Sequence, residues 1–341
     1  MTTGCYEPSL ADLNGLDGVQ TALHARAAAV ARAQFGNRVF VRGVVEISNF
    51  CRENCHYCGM RRDNRALGRY RAEADRLAEL VLRHRPASMT DLNLQAGEDP
   101  VAAREVALPL VRHIRQHTSL GVSVCLGTLD DSLYDALHEA GAETYILKFE
   151  TADPDHFAEC EGPGSLVERV RTIRRLAAAG WWVSSGFIAG LPGAHPEALL
   201  HNCRLAAALP LRGCSVSPFV PGADTPLANA AAGGADWTLN CMAMLRLLRP
   251  DWVIPSVSAL NIAEPGAGYR RGLRTGANLV TINLTPPDLR NDYVLYKRDR
   301  FIMTEGRILE AIAAAGLVPS PTSLAEHFRR TTPSPAASPP A

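Results

Sequence analysis

Three cysteines stand in one short segment, Asn49-Phe50-Cys51-Arg52-Glu53-Asn54-Cys55-His56-Tyr57-Cys58-Gly59-Met60, directly after the apolar run Val41-Arg42-Gly43-Val44-Val45-Glu46-Ile47. Their C-x3-C-x2-C spacing can ligate three irons of a 4Fe-4S cubane and leave the fourth without a protein ligand. An open iron can bind a small molecule that offers an amine and a carboxylate together, and the methionine end of S-adenosylmethionine (SAM) offers both. The competing chemistry is a structural zinc knuckle of the three thiols plus His56. Structural zinc usually takes paired ligands from two separated turns, and no second paired-cysteine motif follows. Between the second and third cysteines, His56 reads as a packing residue rather than a base.

A cluster loop needs a rigid frame, and the chain supplies one by alternating short β-rich runs with helical patterns, as a repeated βα unit does. Strands are expected near 41–47, 89–95, 121–126, 144–149, 182–188, 213–217, 252–257 and 278–282. Helical periodicity fills segments between them, among them 72–83, 103–116, 165–179, 197–209 and 237–248. Eight strands with intervening helices make an α/β fold, a (β/α)8 TIM-type barrel. An Ala-rich helix near 19–34 precedes the first strand, and one near 303–315 follows the last. We therefore expect an N-terminal helical extension over 1–36, the barrel over 37–318, and a C-terminal segment over 319–341 ending in a disordered Pro/Ser/Ala-rich tail.

At 341 residues and 47% hydrophobic content the chain can bury the core of one large catalytic domain. The 35 basic and 35 acidic residues cancel, so nothing suggests nucleic acid or an anionic membrane as partner. Arg61, Arg62 and Arg65 read as a solvated or cluster-facing basic edge. No apolar run approaches the roughly 18 residues of a membrane helix, and Met1-Thr2-Thr3-Gly4 lacks a signal-peptide pattern. A cytoplasmic protein is expected. Its 9 cysteines read as free thiols or metal ligands, because a reducing compartment also preserves an oxygen-sensitive cluster.

The cysteine loop is the signature of the radical SAM enzymes, and the chain resembles the branch that holds biotin synthase, methylornithine synthase and the maturation enzyme of iron-only hydrogenases. The resemblance runs from about Phe35 to Leu317 and includes Phe35-Gly36-Asn37-Arg38-Val39-Phe40, the continuation Arg61-Arg62-Asp63-Asn64, and Phe219-Val220-Pro221 before Asp224-Thr225-Pro226-Leu227. It implies further SAM contacts at the C-terminal ends of the strands. After strand two, Gly97 and Glu98 in Gln95-Ala96-Gly97-Glu98-Asp99-Pro100 are similar to the element that holds the methionyl ammonium. Strand four ends Leu147-Lys148-Phe149-Glu150, where Glu150 would accept from the ribose hydroxyls and Lys148 or Arg169 would pair with the methionyl carboxylate. Ile188, in the glycine-punctuated end of strand five, and Tyr57 are the adenine-side candidates.

The reaction so implied is one-electron cleavage of SAM by the 4Fe-4S cluster to a 5'-deoxyadenosyl radical that takes hydrogen from an aliphatic C-H, with a flavodoxin or ferredoxin as electron donor. A closed barrel suits it, because the site must exclude competing reactions. The substrate is a small molecule or a carrier-borne arm. Methylornithine synthase grips its amino acid with an arginine on strand six and an aspartate on strand seven; Ser215 and Ala259 stand at those places here. Sulfur insertion would need an auxiliary iron-sulfur cluster, for which Cys125 and the thiols of Cys5, Cys160, Cys203, Cys214 and Cys241 remain. A non-catalytic iron-sulfur scaffold is the third reading, opposed by the Glu98 and Glu150 elements.

Overall fold

The computed structural model describes residues 6–296 and 302–331. Seven parallel strands lie side by side in the order β6-β5-β4-β3-β2-β1-β7: β1 Arg38–Ser48, β2 Asp91–Ala96, β3 Gly121–Cys125, β4 Thr144–Ile146, β5 Trp182–Ala189, β6 Gly213–Pro218 and β7 Leu279–Asn283. Between β6 and β7 runs the extended stretch 253–255, bridged to Gly213 on one side and to Leu279 on the other. Val253 N–H donates to Arg212 (2.9 Å), and Asn278 N–H to Ile254 (2.9 Å). The stretch is the expected strand at 252–257 in reduced form. Pro255 has no N–H to donate, so a longer ladder is denied to it.

Arg246 holds this thin stave. Its fully buried guanidinium donates to the carbonyls of Pro250, Trp252 and Gly276 and to the Asn278 side chain. The ring of parallel staves is thereby complete, as expected for a (β/α)8 TIM-type barrel.

Strands of a parallel barrel are covered on both faces. In β1, Val39, Val41, Val45 and Ile47 are fully buried in the core beneath the helices, while Arg42, Val44 and Glu46 alternate with them and line the barrel's internal cavity. The expected helices form at Asp17–Phe35, Ala74–His84, Leu166–Ala178, Pro196–Ala208, Ala235–Leu248 and Glu305–Ala314. The pattern expected over 103–116 begins instead with a π-turn at Ala103–Ala107 before Leu108–His117.

The chain beyond 318 packs on the barrel. Val318–Pro319 pairs with the start of β1 as β8, and the helix Leu324–Thr331 belongs to the barrel body. Leu324 and Phe328 pack with Phe40, Val253 and Leu279, and the Leu324 N–H donates to Asp91 at the start of β2. The tail expected to be disordered, 332–341, lies outside the described residues. No helix among the described residues is long and apolar enough to cross a membrane.

Candidate active site

The cysteine loop leaves β1 at Ser48 and is held by its own neighbours. Arg69 donates to the carbonyls of Asn49 (2.5 Å), Met60 (2.9 Å), Arg61 (2.6 Å) and Asn64 (3.2 Å), closing the loop on itself. Asn49 bonds Gly68 and Asp292 through its amide, and Asn64 bonds Gly59. The Leu227 N–H reaches the His56 carbonyl at 3.4 Å, which brings the 219–227 loop against the cysteines. Sequence reasoning missed Arg69 and Asn49; their only signal was polar residues of high hydrogen-bonding capacity inside a segment that no helix or strand would order.

The second element approaches as closely as atoms permit. A Cβ on Gly97 would stand 2.3 Å from the Phe50 carbonyl and 2.8 Å from the Cys51 Cβ, so only glycine fits here. The turn thus laid against the loop aims the Glu98 N–H at Cys51 Sγ (3.3 Å). The Glu98 side chain lies over Gly127, whose φ of +72° and absent Cβ leave it room.

Glu98 and Arg169 form the centre of charge. Arg169 comes from the buried face of the helix Leu166–Ala178, whose start Ser165 caps by accepting from the Glu168 N–H. Its guanidinium donates to Glu98 Oε1 (2.8 Å), Thr128 Oγ1 (3.0 Å) and the Lys148 carbonyl (3.0 Å). Burial alone would pull the Arg169 pKa down, but Glu98 and Glu150 outweigh it and hold the charge in place. On the other side, Arg52 lies 3.6 Å from Glu98 Oε2. The Glu98 carboxylate expected to meet an ammonium therefore already faces two guanidiniums.

Glu150 is set by a strained backbone. Phe149 and Glu150 both donate to the Gly186 carbonyl (3.1 Å each), a bulge against β5, and Glu150 has a φ of +62°. A non-glycine residue in the left-handed region costs about 1–3 kcal/mol and persists where the surroundings impose it. Burial raises the Glu150 pKa, opposed by Lys148 and Arg169. Its carbonyl accepts the Ile188 N–H at 2.9 Å, so the ribose-side and adenine-side candidates are joined directly.

Cys51, Cys55, Cys58, Tyr57, Gly97, Glu98, Lys148, Glu150, Arg169 and Ile188 all line one cavity of about 340 Å³ that opens at the C-terminal ends of the strands. The residues placed together from sequence are together in the structure. Arg169 and Lys148 nevertheless face different neighbours: Arg169 is grouped with Glu98, Glu150 and Tyr57, and Lys148 with Glu150, Tyr296, Cys125 and Cys214. His56 is outside the cavity lining and lies 3.4 Å from the exposed Glu161.

The donor set fits an iron-sulfur cluster. Burial lifts the thiol pKa values of Cys51 and, more strongly, Cys55, and pushes Cys58 up to about 12, so metal must displace protons from all three. Among the described residues no group of three or more His, Cys, Asp or Glu converges on a single ion; a cubane asks for one thiolate on each of three irons instead. The Tyr57 hydroxyl is buried beside Cys55, with which it interacts. None of the eight described cysteines is in a disulfide. Cys125 lines the cavity, whereas Cys203, Cys214 and Cys241 lie in the apolar core. Cys5 lies outside the described residues.

Comparison with known proteins agrees with this geometry. The model of the radical SAM superfamily matches residues 45–206. The [FeFe] hydrogenase maturase subunit HydE of Thermotoga maritima is 34% identical over 279 residues, 82% of this chain and 80% of that protein. The 3-methylornithine synthase of Methanosarcina acetivorans is 26% identical over 84% of this chain and 82% of its own length. Among solved structures, methylornithine synthase superposes with a TM-score of 0.80 over 92% of this chain and 95% of that one, at 24% identity, which shows the shared fold. The chain belongs to the radical SAM superfamily, in the branch of the hydrogenase maturase HydE, 3-methylornithine synthase and biotin synthase.

Proposed function

We propose that this radical SAM enzyme carries a 4Fe-4S cluster on Cys51, Cys55 and Cys58 and binds SAM across the cavity mouth. The observation that carries the proposal is the contiguity of Cys51, Glu98 and Arg169 around one cavity: a backbone N–H on the first cysteine, and a guanidinium fixed by the carboxylate next to that N–H. Bound there, cluster and SAM supply one-electron cleavage of the sulfonium to a 5'-deoxyadenosyl radical that takes hydrogen from an aliphatic carbon.

The chain's own residues bind and orient. Arg169 offers its charge to the methionyl carboxylate, and Glu98 keeps that guanidinium in register. With Glu98 so engaged, the bare backbone of the 95–97 turn is left to receive the ammonium. Glu150 accepts from the ribose hydroxyls, its unusual φ holding the carboxylate at the strand end. Ile188 and Tyr57 flank the adenine. Lys148, on the far side of Glu150, faces the substrate compartment.

The cavity lining is mixed and more apolar than polar, with Asn93, Gln95, Ser217, Thr281 and Asn283 among its polar residues. This supports a small substrate or a flexible aliphatic arm held at a few polar points. Ser215 and Ala259, both lining the cavity, leave it without the charged clamp of an amino-acid mutase. The similarity to a hydrogenase maturase supports metallocofactor maturation over amino-acid rearrangement. Sulfur insertion is disfavoured because Cys203, Cys214 and Cys241 are buried in the apolar core, and of the described thiols outside the cysteine loop Cys125 alone lines the cavity.

The test is anaerobic reconstitution followed by incubation with SAM and a chemical reductant. Equal amounts of methionine and 5'-deoxyadenosine support the proposal, and the Cys51→Ala variant should yield neither. A wild-type protein that holds its cluster and leaves SAM intact would instead be an iron-sulfur scaffold.

A further inference from the structure

Cys125 lines the reaction cavity without any part in holding the cluster or SAM. Along β3 the side chains alternate: Val122 and Val124 are buried in the core beneath the helices, whereas Ser123 donates to the cavity-lining Asn93 (3.0 Å) and Cys125 faces the cavity itself. Neighbouring strands repeat the arrangement at this level. Gln95, Cys125 and Lys148 stand two residues before Gly97, Gly127 and Glu150, and all six line the cavity. Gln95 and Cys125 are register partners. Two residues of strand rise about 7 Å, so Gln95, Cys125 and Lys148 form the layer directly beneath that of the proposed SAM contacts.

Two cations face the thiol in this layer. Lys148 and Arg42 both line the cavity and both act on Cys125. Among the described residues Lys148 has neither an ion pair nor a hydrogen bond, and the buried Arg42 Nε has no hydrogen-bond partner. Enclosed charge left unpaired is costly, so the two cations point to a counter-group that a bound molecule brings to this place. Burial raises the Cys125 pKa against the pull of Lys148 and Arg42. The sulfur therefore keeps its hydrogen. A thiolate would be a nucleophile, but a thiol beside a carbon radical is a hydrogen-atom donor.

We infer that Cys125 is the hydrogen-atom donor that ends the radical reaction. The inference rests on the proposed cleavage of SAM in this cavity. An S–H bond is weaker than an aliphatic C–H bond, so a carbon radical in the cavity takes hydrogen from Cys125: a C–H bond forms, the S–H bond breaks, and a thiyl radical remains on sulfur. The thiyl is reset by one electron from the one-electron reductant that also serves the cluster, and by one proton from the Lys148 ammonium, which regains it from water. A turnover that ends in this way consumes one SAM and two electrons.

The experiment needs no identified substrate. Without one, the 5'-deoxyadenosyl radical is itself the carbon radical to be quenched, and a thiol exchanges its hydrogen with solvent whereas an aliphatic C–H does not. The reconstituted protein is incubated with SAM and dithionite in deuterium oxide, and the deuterium in 5'-deoxyadenosine is measured by mass spectrometry. Wild type should give product carrying one deuterium. Cys125→Ser and Cys125→Ala should each hold as much iron as wild type and lose the label from the 5'-deoxyadenosine they form. Cys203→Ala, which removes a thiol from the apolar core, should label its product as wild type does. Unlabelled product from wild type, a label that survives in both Cys125 variants, as a cavity tyrosine would give, or a label lost equally in Cys203→Ala would each overturn the inference. Failure of the functional reading shows separately, as SAM left intact with no 5'-deoxyadenosine formed, and the inference falls with it.

Discussion

Arg169 Nη1 lies 2.8 Å from Glu98 Oε1, and both side chains are almost wholly buried, so the end of β2 and the helix after β4 are locked together by a charge pair at the cavity wall. Removing one partner of a buried pair strands the other charge, at a cost of about 3–5 kcal/mol; Arg52 at 3.6 Å softens this for Glu98. Arg169→Met should therefore lower the melting temperature and weaken SAM binding to the reconstituted protein by about tenfold or more, the loss of one charged hydrogen-bond donor. Glu98→Gln, which keeps an acceptor for Arg169, should do both to a lesser degree. Equilibrium dialysis with labelled SAM reads the difference, and wild-type affinity in Arg169→Met would remove that residue from the SAM site.

Gly97 is required by the approach of the loop, not by its φ. Gly97→Ala must push the Phe50 carbonyl and Cys51 apart from β2. Overpacking of this kind costs about 1–3 kcal/mol, and it falls on the first cluster ligand. The variant should keep a native circular dichroism spectrum and retain markedly less iron per chain than wild type.

Arg69→Met should act on the same loop from its other side. It frees four carbonyls, and at about 1 kcal/mol each for those left buried the loss should reach about 2–4 kcal/mol. Hydrogen exchange over 49–64 should quicken while exchange in the barrel strands stays slow. Uniform quickening would mean that Arg69 supports the whole fold.

Much of this site was legible beforehand because its signals are local. Cysteine spacing, a glycine before Glu98, and strands that end just before each of them need no knowledge of packing. Even the weak stave at 252–257 was visible as an apolar run, although its single-bridge pairing follows from Pro255 and from the buried Arg246, whose role depends on carbonyls up to 30 residues away. The Glu98–Arg169 pair was hidden for the same reason. Its members are 71 residues apart, and each alone reads as a ligand for SAM rather than as a partner of the other. The docked helix Leu324–Thr331 was missed because its neighbours, Phe40 and Asp91, lie at the far end of the chain and its own sequence borders a Pro/Ser/Ala-rich stretch.

That helix carries a pH dependence. Burial pushes the Asp91 carboxyl up to about 7, against the pull of the Leu324 N–H, the Thr90 hydroxyl and Arg42, with Glu143 adding to the rise. The folded state thus keeps a proton that the unfolded chain releases near pH 4. The contribution of this group to stability is complete below about pH 4, declines as pH rises toward about 7, and is lost above it. The melting temperature of wild type minus that of Asp91→Asn should accordingly decrease between pH 5 and pH 8. A difference that stays constant would show that Asp91 is ionised throughout.

The most direct measurement of the central claim is the iron and sulfide content of the anaerobically reconstituted chain, compared with the variant in which Cys51, Cys55 and Cys58 are all alanine. About four irons per wild-type chain, all lost in the variant, is the result expected of one cluster held by this loop. Iron retained in the variant would place a cluster elsewhere and contradict the single-cluster account.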